Sequence, residues 1–229
     1  MNIFTKKEGI LLAIAMVIMA VTAYFIHDYV ATTNGKITTI EKQLEEREEE
    51  VKELSLRANQ AERENEQLKI EIREKQEVEK RYDRTVSMMV SRGFDRRTAI
   101  LNANKVYIYN YLKEKGMTNV AIAGIMGNIE QESRFSTQAS NGSHSGICQW
   151  DHGVRWARLT DSQDNPYSIA DQTEFMWNEL NERGLVDKLN DAPDIYTATY
   201  IFDNQYEGSG GYELSQRVAY ANKIYQAIA

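Results

Sequence analysis

Two acidic side chains stand out in the stretch GNIEQESRF (127–135), where an apolar run gives way to polar residues. At about 100° per residue on a helix, Glu130 and Glu132 flank an apolar stripe. That stripe consists of Ile122, Ile125, Met126 and Ile129. Glu132 also lies at the predicted helix C-terminus, where the helix dipole and partial burial would raise the pKa of a carboxyl. A carboxyl that stays protonated near neutral pH can donate a proton to a glycosidic oxygen. The alternative for either residue is a solvated side chain or a salt-bridge partner.

The spacing of apolar residues predicts the elements that position this stretch. One helix covers NKVYIYNYLKEKG (104–116), and the next covers TNVAIAGIMGNIEQES (118–133), capped by Thr118 or Asn119. Small and turn-forming residues in RFSTQASNGSHSGICQW (134–150) predict a loop or short hairpin. Later helices are predicted at Ala170 to Asn181, Pro193 to Phe202 and Tyr212 to Ala227. The result is a mainly α, α+β domain over residues 102–229, long enough for one core.

The N-terminal part of the chain has a different composition. The run GILLAIAMVIMAVTAYFI (9–26) carries no charge over the length that a helix needs to cross a bilayer. We therefore predict a single transmembrane helix (9–30), with a cleavable signal peptide as the alternative. Lys6 and Lys7 precede this span, and residues 27–35 contain no Lys or Arg. The positive-inside rule then places residues 1–8 in the cytoplasm and the C-terminal domain on the outer, wall side of the cell membrane.

A heptad repeat follows, and it predicts a coiled-coil stalk over residues 31–91. The a positions are Ile37, Leu44, Val51, Ala58, Asn65, Ile72, Glu79 and Val86, and the d positions are Ile40, Arg47, Leu54, Ala61, Leu68, Lys75, Tyr82 and Met89. Most are apolar, and charged residues crowd the outer positions. Asn65 at an a position favours a parallel homodimer. Charged residues in the seam keep a solvated single helix as the alternative. At about 1.5 Å per residue, the stalk would extend roughly 80 Å.

Overall charge and the single cysteine limit the other classes of function. The net charge is −7 and no basic patch with interleaved aromatic residues is visible, which argues against a nucleic-acid partner. Cys148 lies four residues from both His144 and His152, so a Cys/His cell-wall peptidase or a zinc site are alternatives. Cys148 occupies an apolar position of the presumed strand, where a thiolate is not expected, and a fourth zinc ligand is missing. We therefore predict no metal or other cofactor.

The longer motifs add a resemblance to a known family. NKVYIYNYLKEKGMTNVAIAGIMGNIEQESRF (104–135), with GICQW (146–150) and GVRWARL (153–159), resembles the phage tail lysozyme family of the lysozyme-like superfamily. The family pattern is a Gly-Asn-Ile helix ending in Glu-Ser-x-Phe, followed by a Gly-x-x-Gln-Trp strand. QTEFMWNEL (172–180) and IFDNQYEGSG (201–210) look like its later blocks. The resemblance thus covers nearly all of the domain.

This resemblance implies roles for individual residues. Glu132 occupies the position of the catalytic acid, and Ser133 follows it as in lytic transglycosylases. Gly146 and Gln149 match residues that line the cleft.

Aromatic residues and a second acid complete the predicted site. Tyr206 and Glu207 match a Tyr-Glu pair of the family, although the Arg that usually follows is a glycine here. Trp150 and Trp156 are candidates for stacking on sugar faces, with a place in the core as the alternative. Trp177 is expected to be a core residue.

The implied substrate is peptidoglycan, cut between N-acetylmuramic acid (MurNAc) and N-acetylglucosamine (GlcNAc). A hydrolase needs a second carboxylate, whereas in a lytic transglycosylase the 6-hydroxyl of the sugar attacks and one acid suffices. Asp151, Glu207 and Glu130 are the candidates for a second carboxylate. The sequence leaves the two reactions open.

The anchor and stalk suggest where such an enzyme would act. A tethered muramidase would open the wall locally, which suits a conjugation machine, type IV secretion or a phage better than bulk lysis. The alternative from another class is a non-catalytic, membrane-tethered scaffold whose lysozyme-like domain only binds cell wall.

Overall fold

A computed structural model describes residues 6–163 and 165–228, so residues 1–5 of the predicted cytoplasmic segment lie outside the described part of the chain. The chain divides into two compact units, Met1–Glu74 and Lys75–Ala229. The elements are α1 (Lys6–Ser91), α2 (Arg96–Glu114), α3 (Asn119–Ser133), β1 (His144–Ser145), β2 (Trp150–Asp151), α4 (Arg155–Ser162), α5 (Ile169–Glu182), α6 (Val186–Asn190), α7 (Ile195–Ile201), a π-helical segment (Phe202–Glu207) and α8 (Leu214–Ile228).

The first unit consists of α1 up to Glu74. Among the described residues, α1 is the one helix long and apolar enough to cross a membrane, with a mean hydropathy of 1.9 in its most apolar window. Further along, pairs such as Arg47 with Glu50 link neighbouring turns of the exposed helix. The apolar seam positions are about half exposed in the single chain, from Ile37 at 48% to Val51 at 65%. The parallel dimer therefore stays a prediction.

The last heptads pack inside the second unit. Tyr82, Val86 and Met89 were all assigned to the a and d seam, yet they pack with Ala99 and Ala103 of α2. These side chains are used within one chain, so they cannot also form a seam between two chains. This packing favours a stalk that ends before Tyr82, and the limits of the coiled coil stay a prediction.

The compact unit starts earlier than residue 102, and the predicted domain boundary at that residue stays a prediction. The second compact unit begins at Lys75, and α2 begins at Arg96 with its N-terminus capped by Asp95. Residue 102, the expected first residue, therefore lies inside α2. The sequence change near residue 93 marks a turn between two packed helices, not the edge of the folded unit.

The central element of the second unit is α3, in which every residue from Ala121 to Ile129 is buried. Thr118 caps this helix by accepting a hydrogen bond from the Ala121 amide at 3.2 Å. The buried surface of α3 is wider than the predicted apolar stripe, and one reason is that two glycines also face neighbouring helices. Gly124 lies against Ala198 of α7, and Gly127 lies against α8. The helix that carries Glu132 is therefore surrounded by packed elements.

The close approach of α3 and α8 predicts a large effect of a single methyl group. A Cβ added at Gly127 would lie 2.6 Å from the Ala221 Cβ and 2.7 Å from the Arg217 carbonyl oxygen. We expect Gly127→Ala to lower the free energy of unfolding by about 1–3 kcal/mol, because the two helices must separate. Denaturation followed by tryptophan fluorescence measures this, since all three tryptophans lie in the second unit. Gly153→Ala is the control, because its nearest atom would be 3.6 Å away, and equal losses would contradict the packing argument.

The elements after α3 confirm a mainly helical α+β domain. β1 and β2 form the short antiparallel hairpin, with Ser145 opposite Trp150. The helices predicted near residues 170, 193 and 212 are present with shifted ends. Two short helices, α4 and α6, were not predicted, because one or two turns are too few for a periodic apolar pattern to appear.

Candidate active site

The carboxyl of Glu132 lies in the last turn of α3. Its Oε1 accepts a hydrogen bond from Nη2 of Arg217 on α8 at 2.5 Å. The Glu132 side chain is 21% exposed, whereas the Arg217 side chain is 3% exposed. The carboxyl is thus fixed against a buried cation while part of it remains open to a ligand. The role of this carboxyl as a proton donor stays a prediction.

Arg217 holds three elements together around this carboxyl. Its Nη1 donates to Oδ1 of Asn128 at 3.0 Å, and its Nε lies 3.0 Å from Oδ1 of Asp203. Asn128 and Asp203 are both fully buried. A guanidinium presents its donors in a rigid plane, so it can orient several partners at once. The position of Glu132 is therefore set by contacts from α3, the π-helical segment and α8.

The chain makes a strained turn directly after Glu132. Arg134 and Phe135 have φ angles of 54° and 65°, which non-glycine residues seldom adopt. Two hydrogen bonds hold this turn. The Ser133 hydroxyl donates to the Ile147 carbonyl at 2.8 Å, and the Asn104 amide donates to the Phe135 carbonyl at 2.8 Å. Ser133 thus connects the end of α3 to the hairpin, and a contact with substrate stays a prediction for it.

Glu207, at the end of the π-helical segment, is a buried carboxyl on which the charge of Glu132 acts. Its Oε1 is buried and has no hydrogen-bond partner among the described residues. Burial, followed by the negative charge of Glu132, raises the pKa of Glu207 to about 8, against opposing effects of Arg155, Arg217 and the Cys148 thiol. At neutral pH this carboxyl is mostly protonated.

A raised pKa in the folded state makes the stability of the protein depend on pH. The unfolded chain loses the Glu207 proton near the ordinary value of 4.5, whereas the folded chain keeps it until about pH 8. Folding then binds a proton between these values, so stability is lost as pH rises through this range. We expect the free energy of unfolding of the native protein to fall by about 5 kcal/mol relative to Glu207→Gln between about pH 4 and pH 9. Denaturant unfolding at several pH values measures it.

The control for this pH effect is a matched change at an exposed acid. Glu213→Gln alters a surface carboxyl that bonds Gln131. The free energy of unfolding of this variant should change with pH in the same way as that of the native protein. If the free energies of unfolding of the native protein and Glu207→Gln differ by the same amount at every pH, the buried, protonated state of Glu207 is contradicted.

The rings of Trp150 and Tyr206, for which contacts with substrate were predicted, lie in the core. The Trp150 indole donates to the Tyr206 hydroxyl at 3.0 Å, and that hydroxyl donates to Glu179 Oε2 at 2.8 Å. All three side chains are at most 2% exposed. Both rings are enclosed by protein groups, and the substrate contacts expected of Trp150 and Tyr206 stay predictions.

Glu179 anchors this buried chain. Arg155 donates to it from Nη2 at 2.6 Å, and Arg183 lies 3.3 Å away. Burial would raise the pKa of Glu179, but the hydrogen bonds and charge of Arg155 outweigh it, and the pKa is lowered. The guanidinium of Arg155 also lies 4.5 Å from the Tyr206 ring centroid. Hydrogen bonds and ion pairs therefore compensate the buried polar groups of this cluster.

The hairpin residues have mainly structural contacts. Gly146 has a φ of 83°, and a Cβ there would lie 2.9 Å from ring atoms of both Trp150 and Trp156. Gln149 donates from Nε2 to the Ala139 and Gly146 carbonyls at 3.1 and 3.0 Å. These contacts fix the hairpin, while a place for Gly146 and Gln149 in a substrate cleft stays a prediction. Trp156 is 9% exposed, which leaves little ring surface for a sugar.

Trp177 differs from its expected place in the core. It is partly buried at the edge of the core, in an edge-to-face contact with Tyr111, and the Lys115 ammonium lies 5.9 Å from its ring centroid.

Cys148 and the two histidines do not form a catalytic pair. The Cys148 thiol is 1% exposed, and burial raises its pKa well above the ordinary value. His144 contacts the Ser143 hydroxyl at 2.9 Å, and His152 contacts the Ser145 hydroxyl at 2.8 Å. A nucleophilic thiolate needs access and an environment that favours its charge. The structure therefore speaks against the peptidase alternative.

The other candidates for a second carboxylate are engaged in different contacts. Asp151 Oδ1 accepts from the Val154 amide at 2.8 Å, at the start of α4. Glu130 pairs with Lys105 at 2.8 Å. The charge of Glu132 is one of the causes that raise the pKa of the third candidate, Glu207.

Sequence reasoning missed Arg217, Asp203 and Glu179, the charged residues that organise the site and the buried chain. Arg217 and Glu132 are 85 residues apart. No local spacing connects residues at such a distance. The feature of the sequence that could have indicated Arg217 is its position as a single arginine within the apolar face of the last helix.

A central buried helix that ends in an acid, followed by a two-stranded hairpin and packed helices, defines the lysozyme-like class. Residues 103–228 match the model of the phage tail lysozyme family, and the chain belongs to that family. The family supports a domain that acts on peptidoglycan as a glycosidase. The match begins close to residue 102, whereas the compact unit also includes residues 75–91 of α1.

Proposed function

We propose that the protein is a lytic transglycosylase that cleaves the MurNAc–GlcNAc bond of peptidoglycan with Glu132 as its acid and base. The observation that carries this proposal is the partly exposed carboxyl of Glu132, fixed against the buried Arg217 at the end of α3. Its place in the family motif supports the same assignment. The proposed domain limits are residues 75–229 for the folded unit that contains the site.

The reaction needs one carboxyl used twice. In the resting site Glu132 pairs with Arg217, so it first takes up a proton from solvent. It then gives this proton to the O4 oxygen of GlcNAc as the bond from MurNAc C1 to that oxygen breaks. Arg217 would stabilise the resulting carboxylate, because it already contacts Oε1. The carboxylate then accepts the proton of the MurNAc 6-hydroxyl while that oxygen bonds to C1. The product is a 1,6-anhydro sugar, and Glu132 returns to its protonated form.

The environments of the other acids favour this reaction over hydrolysis. A hydrolase needs a second, ionised carboxylate close to the sugar. Asp151 holds the start of α4, Glu130 pairs with Lys105, and Glu207 is protonated at neutral pH. None of these three candidates is an unengaged carboxylate. A mechanism with a single acid is therefore the simpler one for this site.

The products of the reaction test the proposal. Purified peptidoglycan is digested with the full-length protein in detergent, and the soluble fragments are weighed by mass spectrometry. Glycan ends in the 1,6-anhydro form are expected. Reducing MurNAc ends would show a hydrolase, and cleaved stem peptides with intact glycan would refute the glycosidase. Binding to peptidoglycan without any cleavage would show the scaffold.

We further propose that α1 anchors the enzyme in the cell membrane through residues 9–30, with the N-terminus in the cytoplasm and the catalytic unit on the wall side. The apolar stretch of α1 is long enough to span a bilayer. Residues 31–81 would form a parallel homodimeric stalk through the exposed seam. Fractionation together with protease accessibility of the C-terminal unit tests the topology. Recovery of the mature protein from the culture medium would contradict it.

An anchored enzyme would open the wall only near its own position. This suits a conjugation or type IV secretion machine, or a phage, that must pass through the wall without lysing the cell. Cells that export a copy whose anchor is replaced by a cleavable signal peptide should show wider wall damage than cells with the anchored form. Equal damage in both would contradict local action.

A further inference from the structure

We propose that Tyr82, on the long N-terminal helix, is a positioning residue for the catalytic acid and acts through Asn104 on the turn that follows Glu132. This inference rests on the proposed role of Glu132. It extends the catalytic machinery to a segment of α1 that lies outside the family match.

The first link joins α1 to α2. The Tyr82 hydroxyl donates to Oδ1 of Asn104 at 2.7 Å, across 22 residues of sequence. Burial, together with the charge of Asp83, raises the pKa of Tyr82, so the hydroxyl keeps its proton and remains a donor. The ring packs against α2 in the cluster that contains Ala99 and Ala103, and the hydrogen bond to Asn104 sets the direction of the hydroxyl.

The second link joins α2 to the turn after the catalytic acid. Asn104 is 1% exposed, and its Nδ2 donates to the Phe135 carbonyl at 2.8 Å. Phe135 is fully buried and has a φ of 65°, a conformation that persists only when its surroundings enforce it. Asn104 therefore uses both ends of its side-chain amide: the nitrogen donates to this turn, and the oxygen accepts the hydrogen bond from Tyr82.

The neighbouring residue on α2 strengthens the same connection. Lys105 pairs with Glu130 at 2.8 Å, and its ammonium lies 4.8 Å from the centroid of the Phe135 ring. α2 thus contacts the chain on both sides of Glu132. Without the Tyr82 hydroxyl, the buried oxygen of Asn104 loses its donor, and the amide must move or rotate. A displacement of the turn changes the angle at which Glu132 meets the glycosidic oxygen.

This chain of contacts gives the last turns of α1 a role that packing alone would not require. The family-matched region 103–228 lacks Tyr82 and is then an incomplete enzyme. Residues 82–91 then serve as a part of the catalytic unit, directly after the proposed stalk.

The test is Tyr82→Phe in the full-length protein, which keeps the ring and removes only the hydroxyl. We expect kcat on soluble peptidoglycan fragments to fall about tenfold with KM nearly unchanged, because the acid is misplaced while the binding surface is intact. Tyr196→Phe is the matched control, since Tyr196 is 57% exposed and lies on α7. It should keep the native kcat.

A second variant separates positioning from stability. Val86→Ala lies in the same cluster and removes apolar packing without touching the hydrogen bonds. It should lower the unfolding midpoint yet keep kcat at a temperature where the protein is folded. If Tyr82→Phe keeps the native kcat, or if Val86→Ala lowers kcat equally at full folding, the positioning role is overturned while the proposed function stands. If the native protein cleaves no glycan, the proposed function fails and this inference fails with it.

Discussion

Replacing Glu132 with Gln is expected to lower the rate of glycan cleavage by about 10² to 10⁴-fold. Glutamine has nearly the shape of glutamate and can still accept the Arg217 hydrogen bond, but it has no proton to give to the leaving oxygen. General acid catalysis by a placed carboxyl is typically worth this factor. The initial rate of release of soluble fragments from peptidoglycan measures the loss.

The matched control is Glu130→Gln, the same chemical change two residues away on the same helix. Glu130 pairs with Lys105 and is expected to keep more than a tenth of the native rate after substitution. Cys148→Ala should remain active, because the buried thiol takes no part in the reaction. If Glu130→Gln loses most of the activity while Glu132→Gln keeps it, Glu130 and not Glu132 is the acid, and the assignment is contradicted.

Replacing Arg217 with Met is expected to have the largest effect on stability. The substitution leaves the carboxylate of Asp203 fully buried without its cation, and Glu132 and Asn128 lose their shared donor. Removing one partner of a buried ion pair costs about 3–5 kcal/mol. The free energy of unfolding should fall by that amount, and cleavage should be lost at temperatures where the variant is still folded. Urea denaturation followed by tryptophan fluorescence measures the first effect.

Two further variants define the reason for the loss. Arg158→Met removes an arginine that is half exposed and lies 3.6 Å from the buried Glu179. Arg155 and Arg183 still pair with that carboxylate, so the change should cost less than about 1 kcal/mol. Arg217→Lys keeps a charge for Asp203 but cannot present the planar fork to three partners, so it should recover part of the stability and little of the activity. Equal stability losses in Arg158→Met and Arg217→Met would show that the buried position of the Arg217–Asp203 pair contributes little to the loss of stability.

Local chemistry was sufficient to predict the elements around the acid. Thr118 has the side chain of a helix cap, and the structure uses it as one. The turn-forming residues after Phe135 predicted the hairpin, and the motif around Glu132 indicated the family that the match confirms. These predictions depend on residues within one or two turns of each other, whose preferences act whatever the remainder of the chain does.

The electrostatic surroundings of the site could not be predicted in this way. Arg217 reaches Glu132 only because α8 packs closely on Gly127, and that packing depends on the whole fold. The same holds for Glu207, whose raised pKa comes from burial that its sequence neighbours do not reveal. Trp150 was a plausible sugar platform by residue type, yet its place between Tyr206 and Phe175 makes it a core residue.

The heptad repeat shows a further limit of pattern reading. Tyr82, Val86 and Met89 continue the a and d spacing, but their apolar face meets α2 of the same chain. A periodic pattern predicts that a helix has an apolar face and does not name the partner that covers it. The end of the stalk and the start of the enzyme therefore share one helix, which the sequence pattern alone could not separate.

The assignment of Glu132 is tested most directly by a structure of the Glu132→Gln variant with a bound MurNAc–GlcNAc oligosaccharide. The distance to be measured joins the side-chain amide of residue 132 to the glycosidic oxygen. A value of about 2.6–3.2 Å is expected for a group that donates a proton to that oxygen. A sugar bound with its glycosidic oxygen beyond hydrogen-bond reach of residue 132, or within reach of a different carboxyl, would contradict the role of Glu132 as the acid.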